Sequence, residues 1–179
     1  MRPIFYTLCS MLVLSISVAA RADEFRLESA SFGPNTMLST KYVYNEGECN
    51  GGNTSPELHW SGAPDDAKSF AVTMFDPDAH DGAGWWHWLL FDVDAKTTSL
   101  PPGAPQGFRG ISGKNSFGEI GYAGPCPPRN DKPHRYVFTV YALRTDKLGL
   151  AQGAGIEAVK KALEENTLLS VSLQAQYER

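Results

Sequence analysis

The chain has 179 residues with 16 basic and 20 acidic side chains, a formal net charge of −4 with histidines neutral. That length suits one domain with a core of its own, so a small scaffold dependent on disulfides is excluded, and the acidic balance makes nucleic acid a poor partner.

The chain opens with Arg2, an apolar run from Ile4 to Val18, and the small-x-small triplet Ala20-Arg21-Ala22. This is the layout of a secretory leader, with cleavage expected after Ala22 and a periplasmic or secreted domain over residues 23–179. The run of 15 residues falls short of the roughly 20 that cross a bilayer, and no stable membrane insertion is expected. Cys9 leaves with the leader. Losing Arg2 and Arg21 leaves 14 basic against 20 acidic side chains, a net charge of −6. Cys49 and Cys126 remain, an even number in a compartment that permits oxidation, which points to one disulfide, with two free thiols as the alternative.

Five segments rich in β-branched and aromatic residues read as strands: Phe25 to Ala30, Ser69 to Phe75, Trp86 to Val93, Tyr136 to Leu143 and Thr167 to Tyr177. Between the third and fourth lies Pro101 to Arg135, with seven glycines and seven prolines in 35 residues and no sustained period. It reads as a long ordered loop, a type that is often functional. Ile156 to Glu165 reads as the one clear helix, with Ile156, Val159 and Leu163 on one face, and is expected to pack at an edge or end of a sheet. No repeat or linker divides the chain, so one antiparallel β-sandwich is the economical architecture.

Polar groups collect at two strand ends. The run Phe75-Asp76-Pro77-Asp78-Ala79-His80 leaves one strand, and Trp85-Trp86-His87-Trp88 enters the next. Simple alternation puts His87 with Leu89 on one face and Trp86, Trp88 and Leu90 on the other. The second group is Gly121-Tyr122-Ala123-Gly124-Pro125-Cys126-Pro127-Pro128 followed by His134-Arg135-Tyr136, where His134 and Tyr136 share a face. Glycine and proline can fix a backbone whose amides meet an anion, and a histidine with a tyrosine hydroxyl can add donors. The plainer readings are a packed core histidine, a turn shaped by Gly-Pro, and a Tyr136 buried in the core.

Together with Asn53-Thr54-Ser55-Pro56-Glu57-Leu58-His59-Trp60, these motifs resemble the phosphatidylethanolamine-binding protein family, and more closely its bacterial Raf-kinase-inhibitor-like branch. The resemblance spans nearly all the chain after the leader. It implies an antiparallel β-sandwich of a large and a small sheet with a few short peripheral helices. It also implies a shallow pocket for phosphate or a phosphoryl headgroup, formed by Asp76, Trp86, His87, Gly124, Pro125, His134 and Tyr136. In that pocket an aspartate would orient and charge a histidine, whose imidazolium would bind an anion more weakly as pH rises. His80 departs from the family pattern, which usually continues with proline. The chain ends at Arg179, soon after its last expected strand, as bacterial members do.

The reading that follows is a binding protein with no cofactor, holding a small anionic or phosphorylated ligand and acting on a protein partner, with a homodimer compatible with the family. Two alternatives stay open. His87 or His134 could serve as general acid or base in an enzyme acting on a phosphoryl or acyl compound, although no nucleophile elbow is present. Asp76, Asp78, His80 and His87 are of the right types for a metal, but two carboxylates in a proline-containing turn are more often turn formers.

Overall fold

The computed structural model of the chain describes residues 24–104 and 108–179, so the leader expected over residues 1–22 lies outside the described residues. The longest runs of β-formers pair into a five-stranded antiparallel sheet. It comprises β3 (Ser69–Asp76), β4 (Trp85–Asp94), β6 (Ile111–Ser112), β7 (His134–Leu143) and β8 (Thr167–Tyr177), in the order β6-β4-β3-β7-β8. A smaller antiparallel sheet, ordered β1-β2-β5, joins β1 (Arg26–Glu28), β2 (Leu58–Ser61) and β5 (Ser99–Leu100). The expected sandwich of a large and a small sheet is present.

Leu27, Leu58, Trp60 and Leu100 of the small sheet meet Phe70, Val72, Met74, Trp88, Leu90, Phe138 and Val140 of the large one in the main core. Each such side chain, when fully buried, contributes roughly 1.5 to 3 kcal/mol. The other face of the large sheet is also apolar, through Ala71, Leu89, Phe91 and Leu143, and it is covered by α1 (Ile156–Asn166) through Val159 and Leu163. The helix therefore lies on a sheet face, not at the edge or end expected from the sequence. Central strand β3 is buried on both sides, which is why Phe70 to Met74 is apolar on both faces except at Thr73. Asn166 Nδ2 donates to the Ala162 carbonyl at 2.8 Å and Thr167 Oγ1 to the Leu163 carbonyl at 2.7 Å, so side chains satisfy the last turn and the chain enters β8 with no linker.

One irregularity decides the site. Met74 pairs with Trp88 and Phe75 with Trp86, leaving His87 as an extra residue in β4. This β-bulge breaks the simple alternation expected over Trp86 to Leu90. Trp88 enters the core between the sheets, Trp86 packs with the helix-side cluster, and His87 turns toward Tyr136, their ring centroids 5.3 Å apart.

The described residues from Pro101 to Arg135 are irregular as expected, apart from β6, the Lys114–Ile120 bridge and the last two, which begin β7. A Cys49–Cys126 disulfide, with Cα atoms 5.8 Å apart, ties it to the loop that follows a 3₁₀ turn at Thr40–Tyr42. The two strands approach closely there: a Cβ on Gly124 would lie 2.1 Å from the Tyr42 carbonyl oxygen, so only glycine fits.

The disulfide spans 77 residues of sequence, and replacing both cysteines by serine is expected to lower the unfolding free energy by roughly 4 to 5 kcal/mol in the chain-entropy limit. Urea unfolding reads this as a lower midpoint, and an unchanged midpoint would mean that the bond places no useful constraint on the unfolded chain.

Candidate functional site

Asp76 ends β3 with only 2% of its surface exposed. A buried carboxylate needs donors, and the sequence after it supplies two. The backbone amides of Asp78 and Ala79 donate to its Oδ1 at 2.9 and 3.1 Å, which curls the Pro77-Asp78-Ala79 turn around the carboxylate. The third donor comes from β7, where His134 Nδ1 lies 2.8 Å from Asp76 Oδ2. Beside this bond, Arg135 clamps the same turn from outside. Its amide, Nε and Nη2 all donate to the Asp78 carboxylate at 2.9 Å. The Arg135 hydrogen bond is the main reason the Asp78 carboxyl is held down at about 2.

His134 is buried between two carboxylates, with Asp131 Oδ2 3.3 Å from its Nε2. Burial alone would lower its pKa, but the hydrogen bond and charge of Asp76, with Asp131 adding to both, outweigh burial and raise it above the usual histidine value. The aspartate's histidine partner is thus His134 and not His87.

His87 behaves in the opposite way. Its Nδ1 lies 2.8 Å from the Ala123 carbonyl oxygen and 3.1 Å from that of Gly124. Carbonyls only accept, so Nδ1 carries the proton. Burial pushes the His87 pKa down to about 4, and the ring is neutral near pH 7 with a lone pair on Nε2. The loop that anchors it has no spare amides at these positions. Ala123 N–H donates to the His87 carbonyl at 2.9 Å, and Gly124 N–H donates to Asn53 Oδ1 at 2.8 Å. The expectation that the amides of this Gly-Pro turn meet an anion therefore fails at Ala123 and Gly124, whose carbonyls face His87 instead.

Tyr136 completes the group. It is fully buried, and its hydroxyl makes no well-formed hydrogen bond among the described residues. Burial first, then the charge of the nearby Asp76 carboxylate and a weak hydrogen bond toward it, raise its pKa, so the hydroxyl keeps its proton. These four residues form the floor of a cleft of about 790 Å³, walled by Trp85, Phe117 and the Cys126-Pro127-Pro128 run and rimmed by Asp131, Lys132 and Arg135. His80 stacks on Trp85 at the rim, their centroids 4.6 Å apart. The Trp85 indole N–H is a second buried donor without a partner.

Of the seven residues expected to form the pocket, Asp76, His87, His134 and Tyr136 come together at this floor. Trp86 does not line the cleft, because the bulge sends it to the other face, where it packs on Phe75 at 4.6 Å; Trp85 takes the wall position. Gly124 and Pro125 stand behind the site as support, with the Pro125 carbonyl accepting from Tyr44 N–H at 3.1 Å. Sequence reasoning missed Asn53, Asp131, Trp85 and Phe117. Asn53 entered only as the first residue of a family motif; it has a positive φ of 44°, and its side chain holds Gly124 in place. Among the described residues no three His, Cys, Asp or Glu side chains come together as metal ligands, and no helix is long and apolar enough to cross a membrane.

A family model described as phosphatidylethanolamine-binding protein matches residues 28–178. The UPF0098 protein YbcL of Escherichia coli K12 is 39% identical over 177 residues, covering 94% of this chain and 96% of its own length. YbhB of the same organism is 37% identical over 145 residues, covering 78% and 91%. The crystal structure of Escherichia coli YbcL superposes with a TM-score of 0.84 over 88% of this chain and 99% of that one. A phosphatidylethanolamine-binding protein from Plasmodium vivax, at 15% identity and a TM-score of 0.57 over 87% of this chain and 85% of that one, shares the fold.

The two buried histidines should titrate in opposite directions from the ordinary value. Nitrogen-detected NMR is expected to show His134 keeping its second proton above pH 6.5 and His87 staying neutral down to about pH 4. The signs for stability differ accordingly. The His134 contribution is full below pH 6.5 and is lost as pH rises through its raised value. For His87 the unfolded chain takes up the proton first, so stability falls by roughly 3 kcal/mol as pH drops from 6.5 to 4. A His87 ring that protonates near pH 6.5 would contradict the arrangement described.

Proposed function

The chain belongs to the phosphatidylethanolamine-binding protein family, and from that membership we propose that its cleft binds a small oxyanion of the phosphate type and that the protein acts by binding, not turnover. The observation that carries this is the Tyr136 hydroxyl, fully buried, protonated and without a well-formed hydrogen bond at the floor of an open cleft. An unsatisfied buried hydroxyl costs about 1 to 3 kcal/mol, and this one, unlike those of Ser55 and Thr97, lines the cleft where a ligand can meet it. A tetrahedral oxyanion above Asp76, His87, His134 and Tyr136 would accept from that hydroxyl, and the protonated His134 offsets part of the negative charge of Asp76 and Asp131.

Binding without turnover is supported by the lining of the cleft. No serine or threonine is among its described lining residues, and its one cysteine, Cys126, is held in the disulfide. The Asp76–His134 hydrogen bond of 2.8 Å is the one feature that would serve proton transfer. Hydrolysis of p-nitrophenyl phosphate that disappears in His134→Ala would replace the binding reading with an enzymatic one.

The leader motif at Arg2 to Ala22 and the Cys49–Cys126 disulfide support action outside the cytoplasm. There the anion can be free or carried on a phosphorylated partner, whose activity the protein would modulate by occupying that group.

Tyr136→Phe separates a ligand-facing hydroxyl from a structural one. Calorimetric titration with inorganic phosphate is expected to show affinity about ten-fold lower in this variant, while the ligand-free protein becomes more stable by roughly 1 kcal/mol as the unpaired hydroxyl is removed. Lower stability of ligand-free Tyr136→Phe with unchanged phosphate affinity would assign the hydroxyl to the fold and remove the main support for an oxyanion site.

A further inference from the structure

Which phosphoryl compounds the cleft selects follows from a count of the hydrogen-bonding groups at its floor. Most of the donors there are already engaged. Both ring nitrogens of His134 face carboxylates, Asp76 at 2.8 Å and Asp131 at 3.3 Å. The amides of Ala123 and Gly124 are spent on the His87 carbonyl and on Asn53. Arg135 is committed to Asp78 through three bonds. The Trp85 indole N–H is free at the wall, and at the floor Tyr136 offers a donor that no well-formed hydrogen bond engages. Beside it stands a free acceptor. With Nδ1 of His87 fixed on two carbonyls, the ring presents its other edge to the cleft, and Nε2 makes no hydrogen bond among the described residues.

We infer that the oxyanion this cleft selects brings a proton of its own: orthophosphate or a phosphate monoester in place of a phosphodiester, such as a phospholipid headgroup, or sulfate. The inference rests on the oxyanion reading above and narrows it. One P–O⁻ oxygen accepts from the Tyr136 hydroxyl, and a P–O–H donates to His87 Nε2. The phosphate of a diester, or a sulfate ion, has acceptors only, so it would set an oxygen lone pair against the lone pair of Nε2 and leave that nitrogen unpaired.

The charges around His87 favour the same assignment. From β3 the Asp76 carboxylate acts on the ring, and from β7 the His134 imidazolium and the Tyr136 hydroxyl. The chain before β7 contributes Asp131 and Lys132 at the rim, and the β3–β4 turn contributes His80, Asp81 and the Asp78–Arg135 pair. Asp76 and Asp131 together outweigh the one imidazolium between them, so the floor is no strong anion trap and accepts the less charged, protonated form more readily. Burial keeps His87 neutral in these surroundings.

The test compares four ligands on the intact protein at constant ionic strength: orthophosphate, sulfate, phosphoethanolamine and glycerophosphoethanolamine. The last two share a headgroup and differ in whether the phosphate is a monoester or a diester. At pH 6 the two proton-bearing ligands are expected to bind about ten-fold or more tightly than their proton-free counterparts. Phosphoethanolamine affinity should then fall as pH rises past its second ionisation, near 6 for a phosphate monoester. Orthophosphate still carries a proton at pH 8 and should lose less. Throughout saturation the His87 Nε2 signal should stay in the unprotonated range of nitrogen shifts, displaced by an accepted hydrogen bond. Equal binding of all four, or protonation of His87 Nε2 by the ligand, would overturn the inference while leaving an oxyanion site standing. Failure of orthophosphate and phosphoethanolamine alike to bind would overturn both readings.

Discussion

A carboxylate removed from water must be satisfied where it stands, and much of this structure is arranged around the satisfaction of Asp76. Two amides of its own turn and one histidine from β7 do so. The same three bonds fold the β3–β4 turn inward, fix the start of β7 and set His134 at the floor of the cleft. Breaking such a buried pair by removing one partner typically costs about 3 to 5 kcal/mol, because the charge left behind has lost its solvation and its partner together. Structure and site therefore share one interaction, and the outer clamp of Arg135 on Asp78 repeats the connection at the surface.

The two histidines show how neighbours assign opposite roles to one side chain. Each is buried to the same extent, at 2% exposure. His134 sits between carboxylates and holds a positive charge, whereas His87 faces two carbonyls and is left neutral with a lone pair to offer. A cleft holding both can engage the acceptor and donor atoms of a ligand separately, which a simple basic patch cannot do.

Long elements were legible in the sequence because their physics is local. Runs of β-branched and aromatic residues marked β1, β3, β4, β7 and β8 to within two residues at each end, and the spacing of Ile156, Val159 and Leu163 marked the helix. Strands β2, β5 and β6 have two to four residues and exist only through their partners, so no period could show them. The helix was placed at an edge because its apolar stripe shows what it buries but not against what. The bulge at His87 left no mark either. Trp85-Trp86-His87-Trp88 reads the same with or without it, so nothing there shows that Trp86, which the family resemblance places at the pocket, turns away while Trp85 takes the wall. Asp76, His134 and Tyr136 could be found because residue type and strand-end position both pointed to them. Asn53, Asp131 and Phe117 act from loops whose course is set by contacts far away in sequence.

The Asp76–His134 bond joins residues 58 apart in sequence, across the central pairing of β3 with β7. The hairpin of β3 and β4 can form early from neighbouring residues, but β3 must wait for a strand that lies beyond the whole Pro101 to Arg135 segment. Non-local pairing of this kind places folding in the millisecond-to-second range and leaves the long-range contacts until late. A chain with only its hairpin in place has the aspartate and the bulged histidine but no floor between them. The cleft floor is thus assembled in a single late step, and a partly folded molecule carries no half-formed version of it.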